Sequence, residues 1–177
     1  MKNYTHILGI DPSGNKAEGS GDTGLALLDR DNVTFTLSDV RAVNYPTQAT
    51  YWHGIVTKVK EVVQAVGREN LLIVVEDYRL DPGRAAAQSY SQLETPKLIG
   101  VLQYMFARWG VAYMLQQAAV VKKRWSDEIL IKKGVLTCGV GERMRFFYYN
   151  GVMTNNHKRD ALRHAWHVHV FSKEPKT

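Results

Sequence analysis

Along the first forty residues, apolar positions come in short runs separated by polar turns. An apolar run over 7–10 ends at Asp11-Pro12-Ser13-Gly14, the pattern of a strand closed by a turn. Residues 15–22 are polar and glycine-rich and read as a loop; 23–28 form a second apolar run, closed by Asp29-Arg30-Asp31-Asn32. Over 33–43 the apolar residues Val33, Phe35 and Leu37 alternate strictly, a third strand. Three successive strands with short turns predict an antiparallel meander.

The period then changes. Trp52, Ile55, Val56, Val59, Val62, Val63 and Val66 recur at steps of three and four, so 47–66 is expected to be an amphipathic helix stopped by Gly67. The continuous apolar run 71–75, ending in Glu76-Asp77, is the pattern of a strand buried on both faces. A helix with a small-residue seam is expected over 90–109, ended by Gly110, then a fifth strand over 111–115. Lys122-Lys123-Arg124 fall in a loop, a short helix spans 125–133, and a final helix opens at Asn156 and runs to about 171. Phe146-Phe147-Tyr148-Tyr149 reads as a core strand. The order βββ-α-β-α-β-α-α predicts an α/β fold: a mixed five-stranded sheet, three antiparallel strands then parallel ones, with helices on both faces. No repeat or linker divides residues 1–177, which are expected to form one domain.

Composition narrows the class. The 177 residues carry 23 Lys+Arg against 17 Asp+Glu, a net +6, which points to a polyanionic partner such as nucleic acid. An apolar share of 45% excludes a disordered chain. The single cysteine, Cys138, allows no intrachain disulfide, and a reducing compartment is expected. Residues 1–4 lack the start of a secretory signal, and no apolar run approaches the ~20 residues that span a bilayer. The expectation is a soluble, cytoplasmic protein with no membrane partner.

The chemistry lies in the acids. Asp11 ends the first strand, Glu76 with Asp77 ends the fourth, and Asp160 follows His157 by three on the final helix, so those two project from one face. A carboxylate at the end of a buried strand is costly unless it is paired or binds a cation. Each of these residues alone is more often a turn, a cap or a solvated group; together, in this element order, they suggest a hard-cation site with oxygen donors and one imidazole, suited to Mg²⁺ or Mn²⁺.

Ile7-Leu8-Gly9-Ile10-Asp11-Pro12-Ser13-Gly14 followed by Thr23-Gly24-Leu25-Ala26 resembles the opening of RuvC-like Holliday-junction resolvases, in the RNase H-like superfamily. Val74-Val75-Glu76 resembles that family's second acid, and His157-Lys158-Arg159-Asp160-Ala161 its last-helix motif. Leu93-Glu94-Thr95-Pro96-Lys97-Leu98-Ile99-Gly100 and Arg163-His164-Ala165 look closer to bacteriophage versions. Two features depart from the pattern: the loop between Pro12 and Thr23 is longer, bringing in Asp22, and His157 stands where many relatives have a carboxylate.

The resemblance implies an RNase H-like fold and metal-assisted hydrolysis of DNA phosphodiesters at four-way junctions. Asp11, Glu76, His157 and Asp160 would form the catalytic, metal-holding set for two Mg²⁺ ions, with Mn²⁺ able to substitute; His157 is either a ligand or a proton shuttle. Lys122, Lys123, Arg124, Lys158, Arg159 and Arg163 would contact DNA phosphates, and Arg79, after Glu76, lies where relatives insert a side chain at the junction centre. The 90–109 helix resembles the one through which such proteins form homodimers, and its small-residue seam equally fits core packing against the sheet. Alternatives are a nuclease for flaps and forks, or a ribonuclease for RNA–DNA hybrids. An actin-like ATPase would need two lobes, and a non-catalytic module would be expected to lack one of the acids.

Overall fold

A computed structural model describes residues 4–16, 21–78, 93–140 and 145–173. Strands β1 (His6–Asp11), β2 (Asp22–Asp29) and β3 (Thr34–Arg41) form the antiparallel meander. Helix α1 (Gln48–Val66) returns the chain to β4 (Leu71–Asp77), parallel to β1, and α2 (Glu94–Trp109) leads to β5 (Ala112–Gln117), parallel to β4. The sheet order is β3-β2-β1-β4-β5. Thr47 caps α1 in a reciprocal hydrogen-bonded box with Thr50, and Gly110 ends α2 in the left-handed conformation (φ 63°) that glycine adopts without steric cost.

Side chains alternate across the sheet, and this parity sorts them into two cores. Leu8, Ile10, Leu25, Ile73 and Val75 face Tyr51, Ile55 and Val59 of α1 and Leu98, Leu102 and Phe106 of α2. Ile7, Ala26, Leu28, Leu72 and Val74 face the opposite way, onto Ala161, Leu162, Ala165 and Val168 of the last helix, α5 (Asn156–Lys173). Each side chain of Leu or Ile size buried in this way contributes about 1.5–3 kcal/mol. Asp11 and Glu76 continue the second parity, so both project from strand ends onto the α5 side.

The chain between β5 and α5 differs from the expectation. Lys122-Lys123-Arg124 belong to a helix, α3 (Ala118–Arg124), and a shorter α4 (Asp127–Lys132) follows, with Ser126 accepting from the Ile129 amide at its start. Then β6 (Thr137–Val140), β7 (Arg145–Tyr149) and β8 (Val152–Thr154) build a separate three-stranded antiparallel sheet. The aromatic run is a strand, but its residues are half-buried rather than core. Phe147 lies under the Arg159 guanidinium, 4.4 Å from its carbon, and Tyr149 packs edge-on against Phe35. Short runs of four, five and three residues, one containing Gly139 and two separated at Gly151, carry too little periodicity to separate a small sheet from loop. Among the described residues, no helix is long and apolar enough to cross a membrane.

Candidate functional site

β1 and β4 are neighbours, and their ends bring Asp11 and Glu76 side by side; α5 crosses above them and supplies Asp160. One carboxylate oxygen from each of the three lies within 4.8 Å of those from the other two.

Two glycines allow α5 to lie this close. A Cβ at Gly9 would overlap the carbonyl oxygen of Ala161, and one at Gly24 the carbonyl oxygen of His157. The glycines of the first two motifs are thus helix-docking positions. Thr23 secures the turn after Asp11: its hydroxyl accepts from the Ser13 amide at 3.1 Å, and the buried Tyr51 hydroxyl donates to the Ser13 carbonyl at 2.9 Å. Burial of that phenol raises its pKa to about 12, so it stays a donor.

Each acid has a partner. His157 Nδ1 lies 2.8 Å from Asp11 Oδ2. Lys122 Nζ reaches Asp160 Oδ2 at 2.8 Å and Glu76 Oε1 at 3.2 Å. Arg163 donates to Asp160 Oδ1, to Asp127 and, at 2.8 Å, to the Trp125 carbonyl. His164, wholly buried, lies 3.1 Å from Glu76 Oε2.

The electrostatics follow. Burial pushes the Asp11 carboxyl above the usual range, the Glu76 and Asp160 charges add to this, and His157 opposes it. Burial acts upward on Glu76 too, but His164 and Lys122 outweigh it and hold that carboxyl below its ordinary value. Lys122 is held above the ordinary lysine value because its two carboxylates overcome its own desolvation. The hydrogen bond to Asp11 raises His157, against burial. Three crowded carboxylates, one of them costly to ionise, already draw an ammonium between two of their number. Such an all-oxygen donor set fits a hard divalent cation.

The basic residues divide. Lys123 and Arg124 are exposed on α3, Arg124 resting on the Phe171 ring. Lys158 is half-buried and pairs with Asp39 at 3.2 Å. Arg159 and Arg163, expected on a DNA-contacting rim, are instead buried. Arg163 is bound as above; Arg159 lies 3.2 Å from Asp127 and donates to the Thr154 carbonyl at 3.1 Å. Asp127, packed against this face of α5, gives both guanidinium groups an internal counter-charge. Lys122, expected to contact DNA, lies among the acids. Arg79 falls outside the described residues. Asp22 faces Arg41 at 3.8 Å, and Asp77 lines a cleft of about 250 Å³ with Glu76, Tyr78, Gln117, Ala118 and Ala119.

His164, Gln116 and Asp127 were not anticipated. The available signal was positional: His164 follows Asp160 by four, one helical turn along the same face.

No family model and no curated protein matches the sequence. Solved structures do match. Thermus thermophilus RuvC in complex with a Holliday junction substrate aligns over 96% of each chain at 15% identity, with a TM-score of 0.65. A second Thermus thermophilus RuvC structure aligns over 95% of each chain at 16% identity and a TM-score of 0.62. The chain has the RNase H-like α/β fold that RuvC has, as the order of its motifs led one to expect.

Proposed function

We propose that this protein is a metal-dependent, structure-selective endodeoxyribonuclease that resolves four-way DNA junctions. The observation that carries the reading is the meeting of Asp11, Glu76 and Asp160 within 4.8 Å on a fold of this kind. Asp11, Glu76 and Asp160 would hold the cations, with His157 beside Asp11 as a further ligand or as a group that accepts and returns a proton at Nδ1. Two Mg²⁺ ions, or Mn²⁺ in their place, would supply polarisation of the scissile phosphate and a lowered pKa for the attacking water.

The chain's own residues do the rest. Lys122 neutralises the oxygens of Glu76 and Asp160 and offers an ammonium to an incoming phosphate. Lys123, Arg124 and Lys158 would hold the backbone through sequence-independent, salt-sensitive contacts, with Arg79 as a further contact near the junction centre. The cleft lined by Asp77, Tyr78, Gln117, Ala118 and Ala119 opens beside one of the three acids, Glu76.

A junction has two-fold symmetry and needs two paired cuts, so the working form is read as a homodimer of single-domain chains, joined through the outward face of α2, on which Tyr104 is exposed. The compartment is read as cytoplasmic, that of a bacterial host for a bacteriophage protein. The deciding experiment compares cleavage of matched duplex, flap, replication-fork and four-way-junction DNA in Mg²⁺ or Mn²⁺. Preferential, symmetric nicking of the junction supports the reading. Absence of cleavage of any branched substrate overturns it.

A further inference from the structure

β4 and β5 are parallel, and Glu76 is in register with Gln116 on the next strand. Both residues therefore point to the same side of the sheet, toward α5. His164 descends from α5 between them: Nε2 lies 3.1 Å from Glu76 Oε2, and Nδ1 lies 2.9 Å from Gln116 Oε1. The imidazole has no solvent exposure, and Gln116 is buried as well. The ring thus lies between one anionic neighbour and one amide neighbour.

That arrangement settles where the hydrogen sits. A lone pair on Nε2 against a carboxylate oxygen would be repulsive, so Nε2 carries a hydrogen and donates it to Glu76. Nδ1 meets the Gln116 amide, whose oxygen and NH₂ exchange places by a half-turn, so the amide matches whichever state Nδ1 holds. Gln116 fixes the ring, and the ring fixes Oε2 of Glu76. The opposite oxygen, Oε1, is left facing Lys122 Nζ, which also holds Asp160 Oδ2.

We infer that His164, oriented by Gln116, is a positioning residue for Glu76: it holds one carboxylate oxygen so that the other is presented to a cation. The inference rests on the reading of the acids as cation ligands. Any buried imidazole needs a partner at each nitrogen; what distinguishes this one is that its Nε2 partner is a carboxylate of the acidic cluster itself. This pairing of a ligand carboxylate with a buried donor is the kind of support whose loss typically weakens metal binding about 10–100-fold.

The test is Mn²⁺ titration of the full chain, followed by calorimetry and by the loss of the free-ion electron paramagnetic resonance signal. The variants are His164→Phe, His164→Gln and Gln116→Leu. His164→Phe is expected to raise the Mn²⁺ dissociation constant roughly 10–100-fold. His164→Gln, whose side-chain amide reaches the Nε2 position, is expected to recover most of that loss. Gln116→Leu keeps the imidazole and is expected to weaken binding in the same direction by less, so the question stays answerable if His164→Phe fails to fold. Saturating Mn²⁺ should restore junction cleavage to the folded variants.

Wild-type affinity in folded His164→Phe or Gln116→Leu overturns the inference and leaves the nuclease reading standing. Weakened Mn²⁺ binding in a protein that cuts no branched DNA upholds the inference and overturns that reading. A wild-type chain that binds no Mn²⁺ overturns both.

Discussion

His157 Nδ1 lies 2.8 Å from Asp11 Oδ2, joining residues 146 apart in the chain. The contact ties the tip of β1 to the first turn of α5 and links the stability of the metal-free protein to pH. Asp11 raises His157 above its ordinary value, so the stabilisation is complete below the unfolded value near 6.5 and is lost as pH rises through the higher folded value. In EDTA, Tm should fall as pH rises above about 6.5, and His157→Asn should flatten that part of the curve. Identical wild-type and variant profiles would show that the pair contributes no linkage.

Asp11→Asn separates function from stability. Burial raises the Asp11 carboxyl, so ionising it costs folding free energy as pH rises above the unfolded value near 3.8. The amide avoids that cost and can still accept from His157. Metal-free Asp11→Asn should melt above wild type at pH 7, each ~1 kcal/mol appearing as about 2–4 °C. It should cleave no junction while binding one as well as or better than wild type in a gel-shift assay. Unchanged nicking would remove Asp11 from the catalytic set.

Lys122→Met should expose the repulsion it now offsets between Glu76 and Asp160. Thermal melts in EDTA are expected to show a lower Tm than wild type, with much of the loss recovered in millimolar Mg²⁺. A variant equally stable in both conditions would argue against carboxylate crowding.

The two groups of basic residues should behave differently. Arg163→Ala breaks a buried network that includes Asp160, Asp127 and the Trp125 carbonyl, and should cost about 3–5 kcal/mol in chemical denaturation. Lys123→Ala, on the exposed face of α3, should leave stability unchanged while reducing the salt slope of junction binding by about 1. Reversal of these outcomes would return Arg163 to the DNA-contacting surface.

Gly24→Ala tests the docking of α5. The added methyl meets the His157 carbonyl, so the helix must lift away from the strand ends. Both Tm and cleavage should drop, cleavage more steeply. Retention of full activity would show that the acids tolerate a displaced helix.

The strands of the meander, the amphipathic α1, the buried β4 and the acids at strand ends were legible in the sequence, because each is written in local periodicity: alternation, a 3.6-residue repeat, an apolar run that stops at a charge. The convergence of Asp11, Glu76 and Asp160 was reachable because element order constrains which strand ends lie together. What the tertiary structure alone decided concerns partners. Lys122 reads as one of three consecutive basic residues, yet α3 carries it between Glu76 and Asp160. Arg159 and Arg163 look solvated until Asp127, more than thirty residues earlier, supplies an internal counter-charge. His164 and Gln116 become one unit only through the register of β4 with β5 and the close approach that Gly9 and Gly24 permit. Local sequence sets conformational preference and surface polarity; which charge meets which depends on pairings across the fold, and those carry no local signature.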